Sequence, residues 1–401
     1  MWNRITRDDW QRSLTMKKYL NGMKKKLRQM MDEVTVQRHF KHWDKKDRKF
    51  VKQYHCPELT KEEKQAIDRY WAQFGIRFKD YSAHRMYYSV TGIHDPRFIP
   101  CALFSEAIIP YMNDQSLVAA YSDKNMFPFY LPDMNFPTRI GSRRRNRYYD
   151  ADGKCYGDQV TDEYVDQLYR RIRQEEDHAI IVKVAIGSYA GKGVRKIAID
   201  SRETLKAALT DFDVPNLIMQ TVVHQHPFFR QLNESSVNII RCTTWREGEE
   251  VHLFSPCIRY GISGSHTDVA FRNGVEIINC LGIRPDGRIF DYSIGLEGKK
   301  KPVDVEDRYV PQWEQIVQKV CDEHRKMCYF DVVAWDITVN DRNEIVCIEY
   351  NIKKPGNTVY QYAHGPIAGD VTDQFLECLK DASVHRQLVP RSHRLPGFQA
   401  K

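Results

Sequence analysis

The stretch from Phe330 to Gly356, FDVVAWDITVNDRNEIVCIEYNIKKPG, constrains the fold more than any other. Two apolar runs, residues 330–339 and 345–348, flank the turn-forming cluster Asn340-Asp341-Arg342-Asn343. That pattern predicts a β-hairpin closed by a loop of four to five residues. Asp336 falls on the first strand, and Glu349 and Asn351 at the end of the second. Side chains at i and i+2 of a strand share a face, so Glu349 and Asn351 project together, and hairpin pairing brings Asp336 beside them. Two carboxylates and an amide oxygen form a donor set suited to Mg²⁺, a hard cation. The same three residues also fit a solvated edge hairpin, and the rest of the chain must decide between the readings.

A chain of 401 residues has room for two or three domains with their own cores. Apolar residues make up 42% and charged residues 28%, the balance of a soluble globular protein. No run approaches the roughly 18 apolar residues of a membrane span. The opening residues, MWNRITRDDW, lack the apolar core of a secretory signal. The ten cysteines include no CxxC pair, and a chain of this size needs no disulfide scaffold. The expected setting is a reducing cytoplasm. The net charge of +8 is concentrated at one end. Residues 1–55 hold 16 Lys and Arg against 6 Asp and Glu, a surplus of ten, which leaves −2 for the remainder.

Met16, Leu20, Met23, Leu27, Met30 and Val34 form one apolar stripe of a helix over about 16–36, backed by lysines. Such a helix either lies on an anionic membrane surface or packs on its own domain. Peripheral membrane contact is therefore an expectation, and nucleic-acid binding is not. Thr60 and Glu63 are spaced as a capping box for a helix running to about Phe74, with Gly75 as its stop. Residues 80–137, rich in aromatics and prolines, suggest a small α/β domain. Lys124, in Asp123-Lys124-Asn125, follows an apolar run at a position suited to a cleft, or else to a charged turn. Arg139–Gly157 reads as a basic, turn-rich linker whose four arginines within 143–147 either hold phosphates or stay solvated. A helix with Thr161 as N-cap follows.

Ala179–Ile199, AIIVKVAIGSYAGKGVRKIAI, reads as strand, glycine-rich loop, strand. It is neither a Walker loop nor a GxGxxG turn opening a helix. Gly187, Ser188, Gly191 and Gly193 leave the backbone open to close approach, and their N–H groups suit a phosphate. Lys183 stands alone among aliphatic residues, where a charge needs a partner such as a phosphate. Further strands are expected over 216–223, 236–244 and 250–260, and helices over 201–209 and 311–325. Asn238 and Arg241, three apart, are expected on opposite faces. The His224-Gln225-His226 pair and the loop residue His266 are weak candidates for metal binding and acid–base work. The tail after Pro390 reads as disordered.

Taken together, Lys183 ahead of a glycine-rich hairpin and the late Asp–Glu–x–Asn set resemble the ATP-grasp fold. The 13-residue step from Asp336 to Glu349, followed by Asn351 and Pro355-Gly356, is similar to the metal-binding strand pair of D-alanine–D-alanine ligases. Other landmarks look closer to the sugar-transfer-associated ATP-grasp family. They are Asp123-Lys124-Asn125, Ser236-Val237-Asn238 with Arg241, Arg259 with Gly261, and Trp335-Asp336-Ile337.

The resemblance implies a mixed α/β (α+β) ATP-grasp fold, two lobes gripping ATP behind an N-terminal helical and α/β extension. It divides the chain into a basic segment (1–58), an N-terminal α/β domain (59–150), a small lobe with the flap (151–225), a C-terminal lobe with the metal site (226–389) and the tail (390–401). It implies that Lys183, with Lys124, holds phosphates under a flap of Gly187, Ser188, Gly191 and Gly193. The backbone from Gln220 through Val222 and Val223 would read adenine. Asp336, Glu349 and Asn351 would hold two Mg²⁺ ions, with Mn²⁺ as a substitute, and Arg241 and Arg259 would stabilise the transferred phosphoryl group. Two departures stand out. Val184 replaces a frequent Pro before the flap, and Val333 stands where the D-alanine ligases have a catalytic Arg. The implied activity is ligation of a carboxylate, activated as acyl phosphate, to an amine, the partners being small or glycan-linked molecules of cell-surface polysaccharide synthesis. A phosphotransferase on the same fold, or a non-catalytic basic binding module, are the rival readings.

Overall fold

In a computed structural model of the chain, which describes Met31, residues 33–188 and residues 193–401, the strands form two antiparallel sheets. The smaller sheet contains β1 (Arg139–Arg144), β2 (Arg147–Asp150), β3 (Ala179–Val184), β4 (Val194–Ala198) and β5 (Leu217–Thr221). Their order across the sheet is β2-β1-β5-β3-β4. Helices α1 (Asp162–Ile172) and α2 (Arg202–Asp211) pack with it around Ile140, Leu168, Val182, Leu205 and Met219. Both begin at a hydroxyl cap: Tyr164 N–H donates to Thr161 Oγ1, and Thr204 N–H to Ser201 Oγ.

The larger sheet has eight strands: β6 (Ile239–Glu247), β7 (Glu250–Tyr260), β8 (Val269–Arg272), β9 (Val275–Ile283), β10 (Ile289–Ile294), β11 (Lys300–Pro302), β12 (Val332–Val339) and β13 (Ile345–Asn351). They run in the order β11-β10-β9-β7-β6-β12-β13, with β8 paired to β9. The predicted hairpin is β12–β13, closed by Asn340–Glu344, where Asn340 Oδ1 accepts from the N–H groups of Arg342 and Glu344. All eight residues of β12 are buried, which is why its run shows no polar alternation. Val333, Trp335, Ile337 and Val339 join the core under α3 (Trp313–Lys326). Val332 joins the opposite core, with Trp245, Phe254 and α4 (Thr358–His364).

Three stretches depart from the sequence expectation. Residues 80–137 contain no strand; they form Ser82–Thr91 and a series of short helical turns. Short apolar runs do not distinguish strand from helix. Pro100 and Pro128 sit at the starts of such turns, where a missing N–H costs nothing, and Pro110 directly follows the π-helical turn Phe104–Ile108 within the helical run 101–112. Arg139–Gly157 is not a linker. It supplies the β1–β2 hairpin, turning at Arg145-Asn146 with φ of 48° and 67°. Two consecutive positive φ values are usually marked by Asn-Gly, and that mark is missing here. The arginines hold the hairpin down: Arg143 donates to the carbonyls of Phe212 and Val214, and Arg144 stacks on Tyr149.

The segment after Pro390, expected to be disordered, packs on the end of the Lys61–Ala72 helix instead. Leu395 N–H donates to Gly75 O at 2.7 Å, and Arg77 N–H to His393 O at 2.9 Å. The Phe398 ring fills the space that a Cβ at Gly75 would take. The Thr60–Glu63 capping box forms as predicted. Most of the basic stripe, residues 16–30 with Asp32, lies outside the described residues. Residues 33–53 are helical and bury Phe40 and Val51 in the core. Among the described residues no helix is long and apolar enough to cross a membrane.

Candidate functional site

The site is built on three adjacent strands. In β6, β12 and β13 the register sets Arg241 opposite Asp336 and Asp336 opposite Glu349, one row of side chains across the sheet. Ala334 pairs with Asn351 in the next row, so Glu349 and Asn351 share the face. A β-bulge makes this possible. Asp336 pairs with Glu349 but Ile337 pairs with Cys347, leaving Ile348 as the extra residue. Cys347 therefore points into the Trp335 core while Glu349, two residues on, points into the site.

Charge is concentrated in this row. Arg241, 5% exposed, donates from Nε to Asp336 Oδ1 at 2.5 Å and from Nη2 to Oδ2 at 3.0 Å. Asn351 Nδ2 donates to Asp336 Oδ2 at 3.2 Å. Arg259, on the adjacent β7, sits 3.8 Å from the same oxygen, pairs with Asp268 and donates to Tyr360 Oη at 3.2 Å. The Asp268 carboxyl lies above the usual carboxylate range, because burial outweighs the pull of Arg259. Lys124 Nζ lies 3.3 Å from Glu349 Oε2 and 3.1 Å from Ser188 Oγ. Burial pushes the Glu349 carboxyl up, but Lys124 and Lys183 more than offset it and hold it below the usual range.

Lys183 is buried on β3 and has no hydrogen-bond or ion-pair partner among the described residues. Its ammonium is pulled down to about 8, mainly by burial and further by Lys124, while Glu349 works the other way. The loop after it turns at Gly187 and Gly193, with φ of 76° at each. A Cβ at Gly193 would run into Val184 Cγ2, so the flap's return needs glycine. Gly191 lies outside the described residues.

Beside this polar row, a cleft of about 170 Å³ lies between the sheets. Ile218 and Gln220 of β5 line one wall, and Ile348 the other, with Lys124, Asn125 and Phe136. Gln220 Nε2 donates to Pro137 O, but among the described residues its buried Oε1 has no partner, nor has Asn125 Oδ1. The backbone N–H groups of Val222 and Val223 likewise donate to nothing among the described residues. Buried groups left unpaired are expensive unless a ligand completes them. The cleft thus offers acceptors on its aliphatic walls, with the half-buried Val222 and Val223 N–H groups following Gln220 along the chain, a set suited to a flat heteroaromatic ring. The neighbouring row offers two ammonium groups to phosphates. Two carboxylates and an amide, without a third acidic or imidazole ligand among the described residues, suit a Mg²⁺ that takes its remaining ligands from phosphate and water.

The other sequence candidates lie outside this constellation. His226 Nδ1 accepts from Phe228 N–H as a helix cap, and His224 lies 3.8 Å from Asp177. His266 is exposed. Asn238 is wholly engaged, donating to Phe229 O and Asn233 O and accepting from Ser236 Oγ. Sequence reasoning did not pick out Asp268, Tyr360, Asn125 or Ile348. Asp268 was passed over beside His266, and Asn125 beside Lys124. Tyr360 carried no signal before the fold brought α4 to the sheet.

No curated protein matches the chain. Among solved structures, D-alanyl-alanine synthetase A from Vibrio cholerae is similar with a TM-score of 0.39 at 12% identity, over 67% of this chain and 66% of that one. The VanG D-Ala:D-Ser ligase from Enterococcus faecalis gives 0.41 at 12%, over 67% and 63%. Biotin carboxylase from Campylobacter jejuni, solved as a β-γ-ATP complex, gives 0.38 at 14%, over 70% and 49%. The chain spans less than two thirds of the length of each. The model of the family described as sugar-transfer associated ATP-grasp matches residues 103–375, which include both sheets and every residue of the row, and the chain belongs to that family.

Proposed function

We propose that the protein is an ATP- and divalent-metal-dependent ligase that activates a carboxylate as an acyl phosphate and joins it to an amine, releasing ADP and phosphate. The observation that carries this reading is the convergence of Lys183 and Lys124 on the Arg241–Asp336–Glu349 row, beside a cleft with unpaired polar groups on its walls. Lys183 and Lys124 would take the phosphate charge. Gly187, Ser188 and Gly193 would close the flap's backbone over it, and Gln220, Val222 and Val223 would hold the base. Glu349, the amide oxygen of Asn351 and Asp336 are the groups available to a Mg²⁺, which when bound would neutralise charge on the transferring phosphoryl group. Arg259, anchored by Asp268 and Tyr360, faces the same region and supports a role in holding the acyl phosphate. No protein nucleophile is needed, since the chain supplies position and charge.

The family description supports a sugar or glycan context for the carboxylate or the amine, and cell-surface polysaccharide synthesis in the cytoplasm is part of the proposal. So is a membrane-facing role for the basic N-terminal residues. An ATP-consumption screen over carboxylate and amine libraries, read by product mass, tests the reading. A ligase releases phosphate only when both co-substrates are present and yields a product heavier by one joined amine. A phosphorylated product formed with one substrate alone would instead assign a phosphotransferase.

A further inference from the structure

Asp336 and Glu349 are cross-strand neighbours, yet their carboxylates are in opposite states. Asp336 is 2% exposed, and its oxygens are ringed by donors: Arg241 Nε on Oδ1, and Arg241 Nη2 and Asn351 Nδ2 on Oδ2, with Arg259 Nη2 at 3.8 Å from Oδ2. A carboxylate offers about four lone-pair positions, and three of those on Asp336 are in use. The Glu349 side chain is 25% exposed, meets only Lys124, and keeps Oε1 free of any hydrogen bond among the described residues.

Arg241 is not placed to step aside. Its position directly opposite Asp336 is set by the β6–β12 register. Its guanidinium lies over the Tyr360 ring, 5.7 Å from the centroid, and the side chain is buried. Breaking the fork would strand a buried cation without a partner, which is far costlier than keeping it. A fixed positive charge within hydrogen-bond distance of Asp336 also repels a divalent ion brought to the same oxygens. Two-metal sites place their ions about 3.5–4 Å apart on shared carboxylates, and here one of the two carboxylates is already neutralised.

We propose that this chain takes a single divalent cation per bound nucleotide, on the Glu349 side of the row with the Asn351 amide oxygen, and that the Arg241 guanidinium permanently occupies the place of a second ion. The inference rests on the nucleotide- and metal-dependent reading above and specifies its ion count. Arg241 is then a positioning residue and a fixed counter-charge.

The test uses the full chain with Mn²⁺ and the non-hydrolysable imidotriphosphate analogue of ATP. Equilibrium dialysis counts Mn²⁺ per bound nucleotide, and low-temperature electron paramagnetic resonance reports whether two ions are close. The expected result is one Mn²⁺ per bound nucleotide, with a resolved six-line spectrum that stays unbroadened as free Mn²⁺ rises 100-fold. Glu349→Gln is expected to weaken Mn²⁺ binding at least tenfold. Arg241→Met, checked for fold by circular dichroism, is expected to admit a second ion; if that variant does not fold, the wild-type count decides alone. Two ions per nucleotide with a dipolar-broadened spectrum overturns the single-ion inference and leaves the nucleotide- and metal-dependent reading standing. Nucleotide analogue and Mn²⁺ that are both left unbound overturn both.

Discussion

At the residue scale, the candidate site is marked by groups left unpaired among the described residues. Lys183 is held in a buried position with its ammonium pulled down to about 8 and no partner among the described residues. A bound triphosphate restores the partner, so binding is expected to draw a proton onto Lys183 above pH 8 and to weaken as pH rises further. Calorimetry of the ATP analogue in buffers of different ionisation heat measures that uptake; no buffer dependence at pH 8.5 would remove Lys183 from the phosphate site. Lys183→Met is expected to cut nucleotide affinity by at least 100-fold, on the order of 3 kcal/mol for a lost charge-assisted contact. Lys183 was legible in the sequence because a lone charge in an aliphatic strand has few explanations. Arg241 was legible as a residue but not as a partner, since its meeting with Asp336 depends on strand order. Val333 offers no guanidinium three residues before Asp336, and the one that meets Asp336 comes from the neighbouring strand.

At the element scale, the fold uses local irregularity to aim side chains. Ile348, the bulge residue, lets an apolar strand change from core-facing at Cys347 to site-facing at Glu349. Deleting Ile348 should leave a regular ladder in which Cys347 still faces the core and Glu349 still faces Asp336, so nucleotide-dependent Mn²⁺ binding in equilibrium dialysis should survive while loss of the Ile348 wall weakens nucleotide affinity. Loss of Mn²⁺ binding in that variant would show that the Asp336–Glu349 register does not by itself place Glu349 in the site. Gly193 closes the flap in the left-handed region against Val184. Gly193→Val is expected to cost about 1–3 kcal/mol in urea unfolding of the small lobe and to weaken nucleotide binding by more than that loss alone implies. Capped helices were readable from their Ser, Thr and Glu spacing. The four strands β8–β11 went unread, even though Asn273-Gly274 marks the β8–β9 turn, with φ of 52° and 75°. Those strands alternate too weakly to stand out from loop, and they are strands because β7 offers β9 an edge, β9 in turn pairs β8 and β10, and β10 pairs β11.

At the scale of the whole molecule, titration sets a stability window. Burial drives His84, His324 and His364 down to about 4. Each binds a proton more readily when unfolded, so stability is lost as pH falls from about 6.5 toward 4. Burial, reinforced by neighbouring carboxylates, raises Asp44 to about 6 and Asp47 to about 7. Those two favour the folded state when protonated, and their contribution is lost as pH rises from about 4, where the unfolded carboxyls ionise, and is gone above 6 and 7. Urea unfolding between pH 4 and 9 is expected to show maximal stability near pH 6.5, with Asp47→Asn steepening the rise from pH 4 to 6.5 and removing the fall from 6.5 to 7. A curve that rises steadily to pH 9 would refute the carboxylate part.

The smaller sheet has its own hydrophobic core, separate from the two cores of the larger sheet, and the cleft is the seam between them. Two bodies with separate cores open separately unless something spans the seam. A nucleotide held as proposed, by Lys183 and Gln220 on one side and through a cation at Glu349 on the other, would be such a span, in effect a removable rivet. Amide exchange in β3 and β5 should therefore slow on addition of the ATP analogue by a factor that grows with its concentration, while exchange in β12, already enclosed on both faces, changes little.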